Sequence, residues 1–394
     1  MSNWRLRQLT FGSDSGLGHS HSYYDIPVAD AAGRRVLVHR LDFTERHPDP
    51  GDTVRVGIVD VDHPGDITWL GESGAWSWQQ GPMAQWIGGG PWAVWNDRED
   101  GKLIARIRNV DTAEERTLPR PVYAVTPDGR TALGLDMARL HHLRPGYGYP
   151  VDTDRSGLPR APDDNGIWSM SLDSSGAPRL ILDLRTASQW LHRLLPMRDR
   201  VRHAVRRYYY WFNHVKISPD GSRFTVKLRW RQFGKPWNST TMGVSLTAAL
   251  DGSDLRLLSR GTSHVIWQTS DRLYCWSKEE WGLYQDTAPR GTRLGLICDG
   301  VIDCNVHLRH IPPTPTPAPP AYVYDVRDGD RVHIHLLDPS DNATTHMATF
   351  DNHVPAVGPF RCDPHPVPSE DGRRVFVTSL QDGARQLYCF ERNI

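Results

Sequence analysis

The chain has 394 residues, with 46 Lys+Arg against 46 Asp+Glu and a formal net charge of zero. Without a general positive excess it has no electrostatic reason to coat nucleic acid or an anionic membrane. The 15 Trp, 13 Tyr, 34 Gly and 30 Pro describe a turn-rich, β-rich globular protein and exclude a helical bundle or a disordered chain.

The N-terminus, MSNWRLRQLTFGSDSG, lacks the apolar stretch of a secretory signal. No apolar run is long enough to span a bilayer. The five cysteines, Cys275, Cys298, Cys304, Cys362 and Cys389, are too few and too scattered for a disulfide framework. These features lead us to expect a cytoplasmic protein.

One phrase repeats along the chain: an apolar strand, a Ser/Thr-Pro-Asp-Gly turn, and a second apolar strand. It reads VYAVTPDGRTALGL at 122–135 and HVKISPDGSRFTVKL at 214–228, returns degenerate as HPVPSEDGRRVFVTS at 365–379 and VIWQTSDRLYCW at 265–276, and keeps its shape with an Ala-Ala-Gly turn in YDIPVADAAGRRVLVHR at 24–40. Asp-Gly favours a turn with positive φ between paired strands. A second phrase, a strand ending in an acidic turn, follows as VRVGIVDVD, NGIWSMSLD, MGVSLTAALDGSD and RVHIHLLDPSD, and supplies an outer hairpin. Four strands recurring roughly every 45–60 residues predict an all-β fold, a seven-bladed β-propeller of four-stranded antiparallel blades, over residues 1–394 as a single domain. A β-sandwich is the alternative. Inner strands are expected near Tyr24, Ala84, Val122, His214, His264, Asn305 and His365. The N-terminal WRLRQLT is expected to complete the last blade. Insertions are expected near 144–164, near 186–208 as the one helix, and at the proline-rich 311–320.

Inner-strand starts are where propellers usually bind ligands. Here they carry Tyr24, Gln80 or Gln85, Tyr123, Asn213-His214, Ser263-His264, Cys304-Asn305 and Asp363-Pro364-His365. Cys362-x-x-His365 with His264 offers thiolate and imidazole ligands suited to zinc, and Cys304 with His307 offers two more. Tyr123, Arg139, His142, Arg144, Tyr147 and Tyr149 form a second group. Arg139 is read as lying across one hairpin from Tyr123, a guanidinium beside a phenol. Such a fork recognises a carboxylate, and such a phenol can move a proton.

Several stretches carry a resemblance: HSHSYYDIPV, WQQGPMAQW, VWND, LDMARLHHLRPGYGY, FNHVKISPDG, TSHVIW and RCDPHPVPSEDGRRVFVTS. Together they resemble the seven-bladed propeller polysaccharide lyases: oligogalacturonate, ulvan and rhamnosyl-glucuronate lyases. The resemblance implies β-elimination at a 4-linked uronic acid, leaving an unsaturated uronate. It implies Tyr123, Arg139, His21 and His214 as the catalytic set. An acidic oligosaccharide would be held by Gln80, Trp86, Arg144, Tyr149, Asn213 and Arg229. It also implies a divalent metal, zinc or manganese, on His264, His365, Cys362 and Cys304, and no organic cofactor. Cys362 stands where the oligogalacturonate type has Gln, which favours zinc. Gln79 and Gln80 stand where the ulvan type has a catalytic His, so the base is expected among His21, His214 and Tyr123. A non-catalytic sugar-binding propeller, stacking sugars on Trp76, Trp78, Trp86, Trp92 and Trp95, is the competing reading.

Overall fold

A computed structural model describes residues 4–43, 46–153, 157–232, 242–297, 300–312 and 321–393. The described residues form seven four-stranded antiparallel sheets, the blades of a β-propeller. They fall into two compact units, Met1–Thr117 with Cys298–Ile394, and Leu118–Ile297.

The first unit holds four blades. In chain order their innermost strands are Gly18–Ser20, Gln85–Ile87, Arg309–Ile311 and Val367–Pro368. The last of these blades takes its outer strand from the N-terminus: Trp4–Gln8 pairs with Gln386–Arg392, Trp4 opposite Arg392. Blades pack face to face through apolar cores. Leu37, Val56 and Ile58 of one blade meet Trp86, Ala93 and Trp95 of the next. Val323, Val332 and Phe350 likewise meet Val375, Tyr388 and Phe390.

The second unit holds three blades, with innermost strands Ala124–Val125, Tyr208–Ile217 and Ser263–Trp267. It also holds three helices, α1 (Met137–Leu143), α2 (Leu184–Leu194) and α3 (Met197–Arg206). The single helix expected over 186–208 is therefore two helices, broken at Pro196 because proline lacks the N–H and clashes with the preceding turn. α1 was not expected at all.

The repeated turn has one geometry. The Thr126, Ser218 and Ser369 hydroxyls donate to Asp128, Asp220 and Asp371 at 2.5–2.6 Å. Each carboxylate then accepts a backbone N–H two residues on. Gly129, Gly221 and Gly372 follow at positive φ, where a Cβ is disfavoured.

A second repeat lies in the backbone of the innermost strands. His214, His264 and His365 all have positive φ, at 57°, 48° and 51°. Met83, two residues before its strand as His365 is before its own, has φ 56°. At His214 and His264 the strand pairing is bulged, between Asn213 and Lys216 and between Ser263 and Ile266. A bulge re-aims the side chain it carries, and a left-handed non-glycine residue costs on the order of 1 kcal/mol. No described helix is long and apolar enough to cross a membrane.

Candidate functional site

In the second unit, Tyr123 and His214 are brought together by adjacent innermost strands. The Tyr123 phenol oxygen lies 3.1 Å from His214 Nδ1. Tyr123 is fully buried, whereas His214 is partly exposed. His214 is therefore the group a ligand can reach, and Tyr123 braces its far nitrogen. Burial lowers the His214 pKa well below its usual value, and Arg144, Arg229, Lys216 and Lys227 lower it further. The imidazole is neutral at neutral pH, beside the cations of Arg144 and Arg229 and two lysine side chains.

Those cations have local causes. Lys227 and Arg229 alternate on Arg223–Gln232, and Lys227 stands opposite Asn213. Lys227 is buried and donates to the carbonyl of Thr262, and burial pulls its ammonium well below the usual range. Arg144 caps α1 and stacks 3.7 Å from the Tyr147 ring, which meets His214 edge-on at 5.8 Å. The loop after Arg144 folds back on α1 because residue 148 is glycine. A Cβ there would lie 2.1 Å from His141 N and 2.2 Å from Met137 O. Asn213 is fully buried, with neither side-chain polar atom hydrogen-bonded.

Arg139 is a correction. It lies in α1, not on the strand returning from Tyr123, and Asp136 accepts its backbone N–H at 2.8 Å as the helix N-cap. Its buried guanidinium donates to the carbonyls of Tyr210, Pro159 and Arg160 at 2.8–3.1 Å. Burial lowers its pKa to about 10, so it stays charged, but it is spent on backbone. Asp136 before Met-Ala-Arg-Leu is an N-cap ahead of helix formers, the signal from which this helix could have been read in advance.

In the first unit, His307, Asp363 and His365 are the described His/Cys/Asp/Glu group whose ligand atoms all lie within 4.8 Å of one another. The His307 and His365 rings are 4.5 Å apart and perpendicular. Tyr23 packs 4.7 Å from His365, and Tyr24 5.0 Å from His307. Buried Asp325 accepts from His307 Nδ1 at 2.9 Å and from its backbone N–H at 2.8 Å. That contact fixes the tautomer that turns Nε2 outward, the carboxylate–histidine arrangement common behind bound metals. Burial alone would lower the His307 pKa, but the charge and hydrogen bond of Asp325, with Asp363, raise it. Burial and the neighbouring His307 push His365 well down, and its Nε2 is buried without a hydrogen bond. Arg361 pairs with Asp363 at 2.8 Å. Two imidazoles, a carboxylate and an orphaned buried nitrogen fit a divalent cation of the zinc or manganese type.

Of the four residues expected to bind metal, only His365 belongs to this group. The Cys362 sulfur is buried against the carbonyls of Asp363 and Thr378, and burial raises its pKa, keeping it a thiol. Burial, Asp303 and Asp325 also raise Cys304. His264 lies in the second unit, its Nδ1 3.4 Å from the Ser263 hydroxyl. Cys298 and residues 313–320 of the proline-rich insertion lie outside the described residues. His307 was offered as a ligand beside Cys304, whereas Asp363 was visible as a member of the repeat but was not chosen as a ligand. Asp325 was missed, although an acid inside the apolar run AYVYDV is a signal of a paired buried carboxylate.

The remaining assignments divide. His21 is buried and bonded through Nδ1 to its neighbour Ser22 O at 2.6 Å, and burial lowers its pKa to about 4. Gln80 is fully buried in a turn. Its neighbour Gln79 donates to the carbonyls of Pro359 and Arg361 and so steadies the segment leading to Asp363. Tyr149 is buried against α1. Trp86 is 1% exposed, its N–H given to Val28 O, so it is blade core and offers no sugar-stacking face. Trp76, Trp78 and Trp95 are buried as well, and Trp92 is covered by Arg116 at 4.3 Å. The tryptophan-platform reading therefore fails on packing.

No protein-family model matches the chain, and no curated protein matches it in sequence. Solved structures do match in fold. An oligogalacturonate lyase in complex with manganese is similar with TM-score 0.62 and 14% identity, over 98% of this chain and 93% of that one. The oligogalacturonate lyase of Vibrio parahaemolyticus is similar with TM-score 0.58 and 13% identity, over the same shares. The β-propeller domain of the Trilobed protease from Pyrococcus furiosus reaches 0.50 at 9% identity, over 95% of each chain. The resemblance read from the sequence thus holds at the level of fold: the chain is a seven-bladed β-propeller similar to the oligogalacturonate lyases.

Proposed function

We propose that this protein is a lyase that cleaves a 4-linked uronic acid oligosaccharide by β-elimination. The observation that carries the reading is the neutral His214 imidazole, braced by Tyr123 and surrounded by Arg144, Lys216, Lys227 and Arg229. Positive charge gathered around His214 favours an anionic ligand there. A uronate carboxylate is such an anion. Its charge offsets the cations and raises the basicity of His214 as it binds.

In the reaction, His214 takes the C5 proton. The C5–H electrons form the C4–C5 double bond, and the C4–oxygen bond breaks. The departing oxygen takes a proton from the imidazolium or from water and leaves as the alcohol of the next sugar. Tyr123 is the positioning residue that holds His214, and the arginine and lysine charges stabilise the enolate-like carboxylate as C5 loses its proton. In the first unit His307, Asp363 and His365 would hold a divalent ion, which supplies Lewis-acid charge where it binds.

The test is the absorbance of the conjugated uronate, followed with pectic, ulvan, gum-arabic-type and glycosaminoglycan oligosaccharides. A gain in absorbance with one class, abolished in His214→Gln with the fold retained by circular dichroism, is expected. No gain with any class overturns the reading.

A further inference from the structure

Helix α3 is docked inside out. Met197, Val201 and Val205 recur every fourth residue, which places them on one face, and they are 70%, 54% and 73% exposed. The one buried residue of the helix is His203. A ten-residue helix does not hold itself in water and is normally held by burying its apolar stripe. Here the stripe faces away. Other ties include Arg200 to the carbonyls of Leu195 and Arg193, Gln232 Nε2 to the Arg206 carbonyl at 3.2 Å and a 3.7 Å pair between Asp199 and Arg260, contacts of small individual worth.

The His203 ring packs on Tyr208 and Trp230, at 5.0 and 4.9 Å, and its polar partners come from two other elements. Its Nδ1 lies 2.6 Å from the Tyr210 phenol oxygen, on the strand Tyr208–Ile217, and 3.2 Å from His192 Nε2, on α2. His192 Nε2 lies 2.9 Å from the same phenol oxygen. Three elements thus place three metal-ligating atoms within 3.2 Å of one another. Hydrogen bonds account for two sides of this triangle: His192 Nε2–H donates to the Tyr210 oxygen and the Tyr210 hydroxyl donates to His203 Nδ1, which leaves the 3.2 Å His192–His203 side without a hydrogen of its own. A cation would engage all three lone pairs together; tetrahedral ligands at roughly 2.0–2.1 Å sit about 3.3 Å apart, so binding widens the 2.6 and 2.9 Å sides and keeps the 3.2 Å one. Burial keeps both imidazoles neutral, the state a ligand requires. Asp199 on α3 opposes the charges of Arg200 and Arg202 there.

We propose that His192, His203 and Tyr210 form a structural site for a zinc-class divalent ion that fastens α3 to the blade. The site is independent of the lyase reading. Binding replaces the phenol proton of Tyr210 with the metal–oxygen bond, so one proton leaves per ion bound.

The experiment uses the full chain carrying His365→Ala, which removes a ligand from the other candidate site, stripped with chelator and titrated with zinc or cobalt(II). One equivalent should bind, raise the melting temperature, release a proton seen as a buffer-dependent heat, and give cobalt the intense visible bands of tetrahedral ligation. His203→Ala should abolish these signals. Tyr210→Phe, which keeps the ring in place, should weaken binding at least tenfold and remove the proton release; it decides the matter if His203→Ala does not fold. No binding by the His365→Ala protein, or unchanged binding in Tyr210→Phe, overturns the site.

Discussion

Side chains that looked alike in the sequence part company once their exposure and partners are seen. Tyr123 and Arg139 were both expected at the chemistry, yet Tyr123 acts from behind His214 and Arg139 holds three carbonyls. Tyr123→Phe should therefore lower kcat by roughly 10²-fold with KM little changed, because it unmoors a general base and removes no carboxylate contact. Steady-state kinetics on the cleaved oligosaccharide would show this. Arg139→Ala should instead destabilise the protein by on the order of 3 kcal/mol, since it strands buried carbonyls that a charged donor had satisfied; the shift of the denaturant midpoint measures it. Asp325→Asn removes the charge behind His307. It should weaken manganese or zinc binding at the His307–Asp363–His365 group by about 10- to 100-fold, read by calorimetry in the His203→Ala background.

At the scale of elements, the innermost strands show how one backbone device is reused. The left-handed kink recurs at His214, His264, His365 and Met83, and the residue type in it varies while the conformation does not. The turn phrase Ser/Thr-Pro-Asp-Gly was legible because its chemistry is local: a hydroxyl, a carboxylate and a glycine within four residues close it. The kink was not legible, since no glycine or asparagine marks it and the bulge is imposed by pairing with the neighbouring strand. The loop after α1 makes the same point. Gly148 is needed for close approach to the helix, not for φ, and Gly148→Ala should push that loop off α1. Because Arg144 and Tyr147 ride on it, the variant should lose substrate affinity more than thermal stability. Comparing KM with the melting temperature tests this.

The whole molecule carries an acid sensitivity. Burial lowers the pKa of His21, His203, His310 and His353 to about 4 and of His39 to about 3, and His214 and His365 also lie well below their usual value. Unfolded histidines protonate near pH 6.5, so below that the unfolded chain binds more protons and stability falls. Stability should be level above about pH 6.5 and decline steeply from there toward pH 4, before the ion-paired carboxylates begin to protonate. His307 runs the other way: its raised pKa contributes stability that is present in acid and lost as pH rises through it. Melting temperature against pH, with His353→Gln reducing the acid slope, checks the balance.

The sequence by itself determined the number of blades, the four-strand repeat, the N-terminal strand completing the last blade and the general kinship of fold. Each of these rests on short-range patterns, strand alternation and turn chemistry, that any window of a dozen residues reveals. Only the tertiary structure decided which side chains meet. Trp86 reads as a sugar platform until blade packing encloses it. Cys362 reads as a ligand until its sulfur turns toward backbone carbonyls, leaving Asp363 beside His307 and His365. Those outcomes depend on residues tens to hundreds of positions apart and on which strand register brings them together. Periodicity carries no information about that, because it records which face a side chain occupies and not what stands opposite it.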